Sequence, residues 1–350
     1  SQISTIIKIT NNKMTKLMIN QRLLVVIIAM ISFCGCKNDK LAVYEIGLND
    51  NWSFQKVGDT VWLDAKVPGS VHIDLLNNKK IKDPFYRLNE HELQWIDKED
   101  WQYKTNFELS ENELSMQNIE LEFFGLDTYS KVFLNDSLVL QTDNMFRNYI
   151  IDCKHLLKKG ENKLQVLFES PIKKGIKKHD EIGYAFPKNG NDLAEIGKVE
   201  GAKKVSIFTR KAGYHFGWDW GPRLVTSGVW RPVKLRSWNH HKIEDLFIKQ
   251  NHLDSVASLT AMIELDVKAA AKEAKDEVLV NKKSIKIVDV EVMNGKNTLK
   301  IPFEIANPEL WWPNGMGKQV LYDVEVKINS NSYTDSKSHR VGLRTIELIT

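Results

Sequence analysis

Apolar and polar residues alternate along much of the chain. WQYKTNFEL (101–109) alternates, and NIELEFFGL (118–126) sets Ile119, Leu121 and Phe123 on one side. SKVFLNDSLVLQT (130–142) contains two short apolar runs that meet at Asn135-Asp136, a hairpin turn signal. NKLQVLFES (162–170) follows KKGE, another turn. Short runs of period two, with almost no helical period, predict a β-sandwich. HIDLLNNKKI (72–81) predicts one short helix among the strands.

The pattern fails between residues 171 and 213, a stretch rich in lysine and glycine. A connection this long inside a compact domain is uncommon and is usually functional or disordered. It reads as a long loop that runs into YHFGWDWGPRLVTSGVWRPVKL (214–235). Strand-like runs resume after Trp238: SLTAMIELDV, EVLVNKK, NTLKIPFEI and VLYDVEVKI, with turns at Asn294-Gly295 and Asn314-Gly315. KAAAKEAKDE (268–277) has helical propensity but no apolar face, and reads as an exposed, charged connection. The pattern predicts an all-β protein with a sandwich over 44–238 and a smaller, immunoglobulin-like sandwich over 239–345.

Composition excludes several classes. The chain has 350 residues, 42% hydrophobic and 27% charged, an ordinary globular balance. The net charge is only +4, with lysines and acids interleaved, so no basic stripe points to nucleic acid. The chain opens on Ser1, so residues ahead of Met14 or Met18 read as an upstream extension. Lys16 and Arg22 precede LLVVIIAMI (23–31), which is shorter than the roughly 20 residues a spanning helix needs. Residues 1–36 therefore predict a secretion signal. Gly35-Cys36 resembles the end of a bacterial lipoprotein signal, although Phe33 stands where such signals usually carry leucine. Cys36 is the expected lipidation site, with Cys34 as the fallback, which places the protein in the periplasm or at the outer membrane and gives it membrane contact only through a lipid anchor. Of the three cysteines, Cys153 is then left alone and reads as a core residue; no zinc spacing or metal site is present in the sequence.

The chemistry concentrates in GWDWGP (217–222). In an extended segment Trp218 and Trp220 share one face and Asp219 takes the other. Aromatic faces suit the C–H faces of a sugar ring, and a carboxylate beside them accepts hydroxyl hydrogen bonds. Arg223 either pairs with Asp219 or steadies the loop. The competing reading is core packing with one buried ion pair.

GWDWGP followed by SGVWRPVKL resembles the β-mannosidase branch of glycoside hydrolase family 2, and further segments agree in order: WIDKEDWQYKTNFEL (95–109), FFGLDTYSKVFLND (123–136), DNMFRNYIID (143–152), RKAGYHFGWDWGPR (210–223), LWWPNGMG (310–317) and VGLRTIELI (341–349). The resemblance implies a jelly-roll-like, galactose-binding-like sandwich, an immunoglobulin-like sandwich and then a (β/α)₈ barrel. VGLRTIELI resembles the strand leading into that barrel, so 346–350 would be its threshold. Family enzymes retain configuration with two glutamates about 5–5.5 Å apart on barrel strand ends. Neither glutamate is in this sequence, so no catalytic residue is expected here and the chain alone is expected to be inactive. Asn89-Glu90 copies the dipeptide of the family acid/base, but lies in the first sandwich, where a structural role is expected.

The resemblance implies an exo-acting enzyme that removes terminal non-reducing β-D-mannose without metal or organic cofactor. Its partners would be mannosides or mannose-terminated oligosaccharides and its own barrel. Asp219 is expected to bind hydroxyls and Trp218 to shape the pocket. Trp220 and His215 are secondary candidates, Arg223 stands behind them, and Trp311 and Trp312 are expected at a domain junction. The alternatives are a non-catalytic sugar-binding lipoprotein and a structural scaffold.

Overall fold

The fold was taken from a computed structural model, which describes residues 40, 41, 43–184, 186, 204–330 and 333–348. The expected export signal, with Cys34 and Cys36, lies outside them, as does most of the lysine- and glycine-rich stretch after Tyr184.

The first sandwich is built from β1 (Val43–Gly47), β2 (Trp52–Lys56), β3 (Leu63–Ala65), β4 (Trp101–Leu109), β5 (Asn118–Phe123), β6 (Tyr129–Leu134), β7 (Ser137–Asp143), β8 (Tyr149–Asp152), β9 (Gly160–Glu169) and β10 (Val233–Trp238). One sheet runs β3-β2-β4-β9-β6-β7 and the other β1-β10-β5-β8, with every pairing antiparallel. Alternation decides which side chains face inward. Strand β9 buries Asn162, Leu164, Val166 and Phe168, while β4 opposite buries Trp101, Tyr103 and Thr105. Residues of both sheets, including Phe54, Tyr103, Val166, Leu121 and Leu235, form one core, and Tyr103 meets Phe168 edge-on at 5.7 Å. The turn between β6 and β7 falls where the sequence places it. Asn135 and Asp136 both hold positive φ, 48° and 65°, as a tight hairpin turn requires. Cys153 is buried in this core, and burial pushes its thiol up to about 12.

The predicted helix is present as α1 (Val71–Asn77). It buries Asp74, whose carboxylate accepts from Tyr103 Oη at 2.7 Å and from the Lys66 amide at 2.9 Å. Burial still raises its pKa to about 6.

The stretch after residue 170 differs from expectation. It opens with helix α2 (Pro171–Ile182), not a loop. Ser170 caps it by accepting from the Lys173 amide, proline takes the first turn, and Gly183 ends it at φ 77°. Its apolar stripe is narrow: Ile172 and Ile176 meet Val205, Phe208, Phe216 and Val225 in a small separate core. A Cβ on Gly175 would lie 2.6 Å from Cβ of Val205, so this close helix approach requires glycine.

The second sandwich contains β11 (His241–Leu253), β12 (Val256–Val267), β13 (Ala271–Val280), β14 (Lys283–Val292), β15 (Gly295–Ala306), β16 (Tyr322–Ser330) and β17 (Tyr333–Val341). One sheet runs β11-β12-β15, and the other contains the order β17-β16-β13-β14. The reading of 268–277 as an exposed connection is overturned, because most of it forms strand β13. Its inward face is Ala274, Asp276 and Val278, all fully buried. A charged residue on that face disguises the period of two. Strand β17 ends at Val341, and residues 342–348 have no regular secondary structure. Trp311 and Trp312 are half-buried: Trp311 lies against Gly342, and Trp312 against Gly317 and the Arg344 guanidinium, 3.8 Å from its ring centre.

The two sandwiches meet at Asn239–His241. Buried Lys242 pairs with Glu120 of β5 at 2.6 Å and with Glu244 at 3.1 Å. The Gln117 amide donates to Asn239 Oδ1 at 2.6 Å.

Candidate functional site

Residues 213–229 leave the first sandwich with little regular structure, so other interactions must hold them. A 3₁₀ turn at Gly213–Phe216 drives Phe216 into the small core beside α2. Gly217, at φ 105°, then turns the backbone into a left-handed region that favours glycine. Trp218 and Gly221 face each other in an isolated antiparallel bridge, so GWDWGP is a tight hairpin. The two indole rings lie 6.1 Å apart at 67°, edge to face.

Arg223 anchors the hairpin's return arm. It is buried, and Nη1 donates to Asp97 Oδ2 at 2.6 Å and to Gln94 Oε1 at 2.5 Å. Gln94 returns the contact by donating from Nε2 to the Arg223 carbonyl at 2.9 Å. Arg223 therefore pairs with Asp97 of WIDKEDW and not with Asp219. It steadies the loop, and the two segments it joins are far apart in sequence. Asn89-Glu90 belongs to the same support. Asn89 Nδ2 donates to the Asp83 carbonyl, and the Glu90 carbonyl accepts from Gln94 Nε2.

Behind the hairpin lies a second buried pair. Lys211 Nζ donates to both oxygens of Asp127 and to Thr226 Oγ1. Thr226 also contacts Asp127 at 2.7 Å and His215 Nδ1 at 2.8 Å. Burial and the Lys211 charge lower His215 to about 4; the same two influences, with His215, lower His72 of α1 to about 3. Both imidazoles are neutral at ordinary pH. Sequence reasoning missed Asp127, Lys211 and Thr226. All three lie in or beside segments that carry the family resemblance, but no local period marks a network assembled from three parts of the chain.

The hairpin walls an open groove of about 510 Å³, lined chiefly by Phe85, Tyr214, His215, Trp218, Trp220 and Leu224. Trp220 is 83% exposed and Phe85 75%. The groove thus brings together Trp218, Trp220 and His215. Asp219 is exposed, does not line the groove, and makes no hydrogen bond or ion pair with the described residues. The arrangement offers aromatic faces to an apolar ligand surface, with an uncommitted carboxylate next to them in sequence. Among the described residues no cluster of three histidine, cysteine or acidic side chains is placed to hold a metal.

Tandem antiparallel sandwiches, the first extended by an aromatic hairpin, correspond to a known class. The galactose-binding-like domain of glycosyl hydrolases family 2 matches residues 52–231, and a second region of glycosyl hydrolases family 2 matches 241–344. The chain belongs to glycoside hydrolase family 2. It is 34% identical over 316 residues to a β-mannosidase B of Emericella nidulans, covering 86% of this chain and 35% of that protein. It is 31% identical over 320 residues to a β-mannosidase of Capra hircus, covering 88% and 35%. The crystal structure of a β-D-mannosidase from Dictyoglomus thermophilum superposes with a TM-score of 0.77 at 36% identity, covering 87% of this chain and 37% of that one. An exo-chitosanase from Amycolatopsis orientalis, at 19% identity and a TM-score of 0.61, covers 86% of this chain and 33% of its own, and shares the fold. The chain spans about a third of the length of these relatives.

Proposed function

We propose that this chain is the N-terminal part of an exo-acting, retaining β-mannosidase that hydrolyses terminal non-reducing β-D-mannose. In this reading both catalytic glutamates lie on a barrel beyond residue 350, and the hairpin closes one side of the terminal-sugar pocket. The observation that carries it is the hairpin itself: paired Trp218 and Trp220 rings over a groove, next in sequence to a carboxylate that none of the described residues engages. Asp219 accepts sugar hydroxyls through charge-assisted bonds, Trp218 shapes the pocket, and Trp220 borders it. The buried Arg223–Asp97 pair sets where the hairpin stands. Residues 1–36 direct export, with lipidation at Cys36 and an envelope location.

The test is to express the chain together with the rest of its reading frame and to assay p-nitrophenyl β-glycosides. Mannoside should be turned over in preference to galactoside and glucosaminide, with retention of configuration seen by NMR of the first-formed sugar. Asp219→Ala should lower kcat/KM about 10- to 100-fold, as expected for lost hydrogen bonds to a charged group. Mannosidase activity from residues 37–350 alone, or a preference for another sugar, would overturn the reading.

A further inference from the structure

The network behind the hairpin settles where a proton sits. A threonine hydroxyl has one proton to give and two lone pairs to accept with. Thr226 Oγ1 has three polar neighbours: Asp127 Oδ2 at 2.7 Å, His215 Nδ1 at 2.8 Å and Lys211 Nζ at 3.0 Å. Lys211 donates to both oxygens of Asp127, and a carboxylate engaged by a cation on both oxygens can only accept. The Thr226 proton therefore goes to Asp127. Its two lone pairs accept from Lys211 and from His215. That forces the imidazole proton onto Nδ1 and leaves Nε2 a bare lone pair. His215 lines the groove; its Nε2 has no partner among the described residues and is not sealed from solvent. Burial and the nearby Lys211 charge hold the ring neutral, so Nε2 does not become a donor.

We propose that His215 Nε2 is a fixed hydrogen-bond acceptor for a sugar hydroxyl in the groove, with Asp127 and Thr226 as the positioning residues that set its tautomer. The inference rests on the carbohydrate reading above and sharpens its substrate class. A hydroxyl can donate to this lone pair. A ring oxygen, a carbonyl or the carboxylate of an acidic sugar only accepts, and would face it without a proton between them. The site thus favours neutral, hydroxylated sugars over uronic acids.

Two measurements test this. In the chain labelled with ¹⁵N-histidine, long-range ¹H–¹⁵N spectra read the tautomer, with His215→Gln giving the assignment. His215 should appear as the Nδ1–H form and stay neutral to pH 5. Thr226→Ser should keep that form, and Thr226→Val should lose it. An Nε2–H ring in the unaltered protein would overturn the inference and leave the mannosidase reading standing. In the enzyme comprising this chain and its catalytic part, His215→Leu should lower kcat/KM on p-nitrophenyl β-mannoside about tenfold, the scale of one neutral hydrogen bond. That loss should vanish for one of the singly deoxygenated mannosides, the one lacking the hydroxyl that donates to Nε2. An equal loss on every analogue would overturn the proposal. An Nδ1–H ring in an enzyme that ignores mannosides would instead overturn the substrate reading, and with it the hydroxyl placed at Nε2.

Discussion

Charge is buried in opposite ways behind the hairpin of the first sandwich and in the core of the second. The first encloses Arg223 with Asp97 and Lys211 with Asp127, each ion pair almost fully shielded and each extended by further hydrogen bonds. The second encloses Asp276 in its core, and neither carboxyl oxygen finds a partner among the described residues. Burial alone raises Asp276 to about 7. The paired charges sit where the chain leaves its sheets, and they tie an irregular hairpin to segments it could not otherwise reach. The lone acid sits in a strand that its ladder already holds, where it only opposes folding. Buried charge thus positions a loop in the first sandwich, whereas the lone Asp276 is a liability in the core of the second.

The largest effect should come from breaking a pair on one side only. Arg223→Met takes the guanidinium away from the buried Asp97 carboxylate and the Gln94 amide, and breaking one side of a buried pair typically costs about 3–5 kcal/mol. Denaturant unfolding should show that deficit, and Asp97→Leu combined with Arg223→Met should recover part of it. Equal stability of the single variant and the parent would mean the pair does not hold the hairpin.

Asp276 should act in the reverse sense. Its folded pKa lies above the unfolded value, so the folded state holds its proton more tightly. Its own contribution to stability is therefore most favourable below about pH 4 and declines as pH rises toward 7. Asp276→Leu removes this decline, so the variant's advantage should grow between pH 5 and 7.5, reaching on the order of a few kcal/mol. An advantage independent of pH would show that the acid is solvated.

His72 gives a smaller effect of opposite sign. Its Nδ1 is buried without a partner among the described residues, and its folded pKa of about 3 lies below the unfolded one. Acidification from pH 6.5 toward 4 charges it in the unfolded chain first, and stability falls. His72→Leu should lessen the fall seen in thermal melts over that range. The smallest structural effect belongs to Trp220→Ala. At 83% exposure it should change stability by less than about 0.5 kcal/mol, while weakening mannoside use by the complete enzyme. A large stability loss would make Trp220 a packing residue.

How much was legible varied with the range of the interaction. Strand β9, the Asn135-Asp136 turn and helix α1 follow from neighbours within a few residues. Helix α2 was readable in principle, since Ser170-Pro171 opens it and Gly183 closes it, but its lysine-rich surface leaves only Ile172 and Ile176 as an apolar stripe. The first half of strand β13 was hidden by Asp276, which stands where the pattern demands an apolar residue, while its second half lies in the strand-like run EVLVNKK. The partner of Arg223 could not be chosen locally. Asp219 is four residues away, yet Asp97, 126 residues away, takes the bond.

The sequence by itself determined that the chain is built of antiparallel strands, that one hairpin turns at Asn135-Asp136, and which six residues would carry the aromatic and acidic cluster. Those properties depend on backbone preference and on a period of two, both set by adjacent residues. Only the tertiary structure decided which charges pair, which way the hairpin stands, that Asp219 remains uncommitted, and where the proton of His215 lies. Each of these depends on burial and on partners brought from distant segments, and a buried charge is satisfied by whatever the fold places within reach.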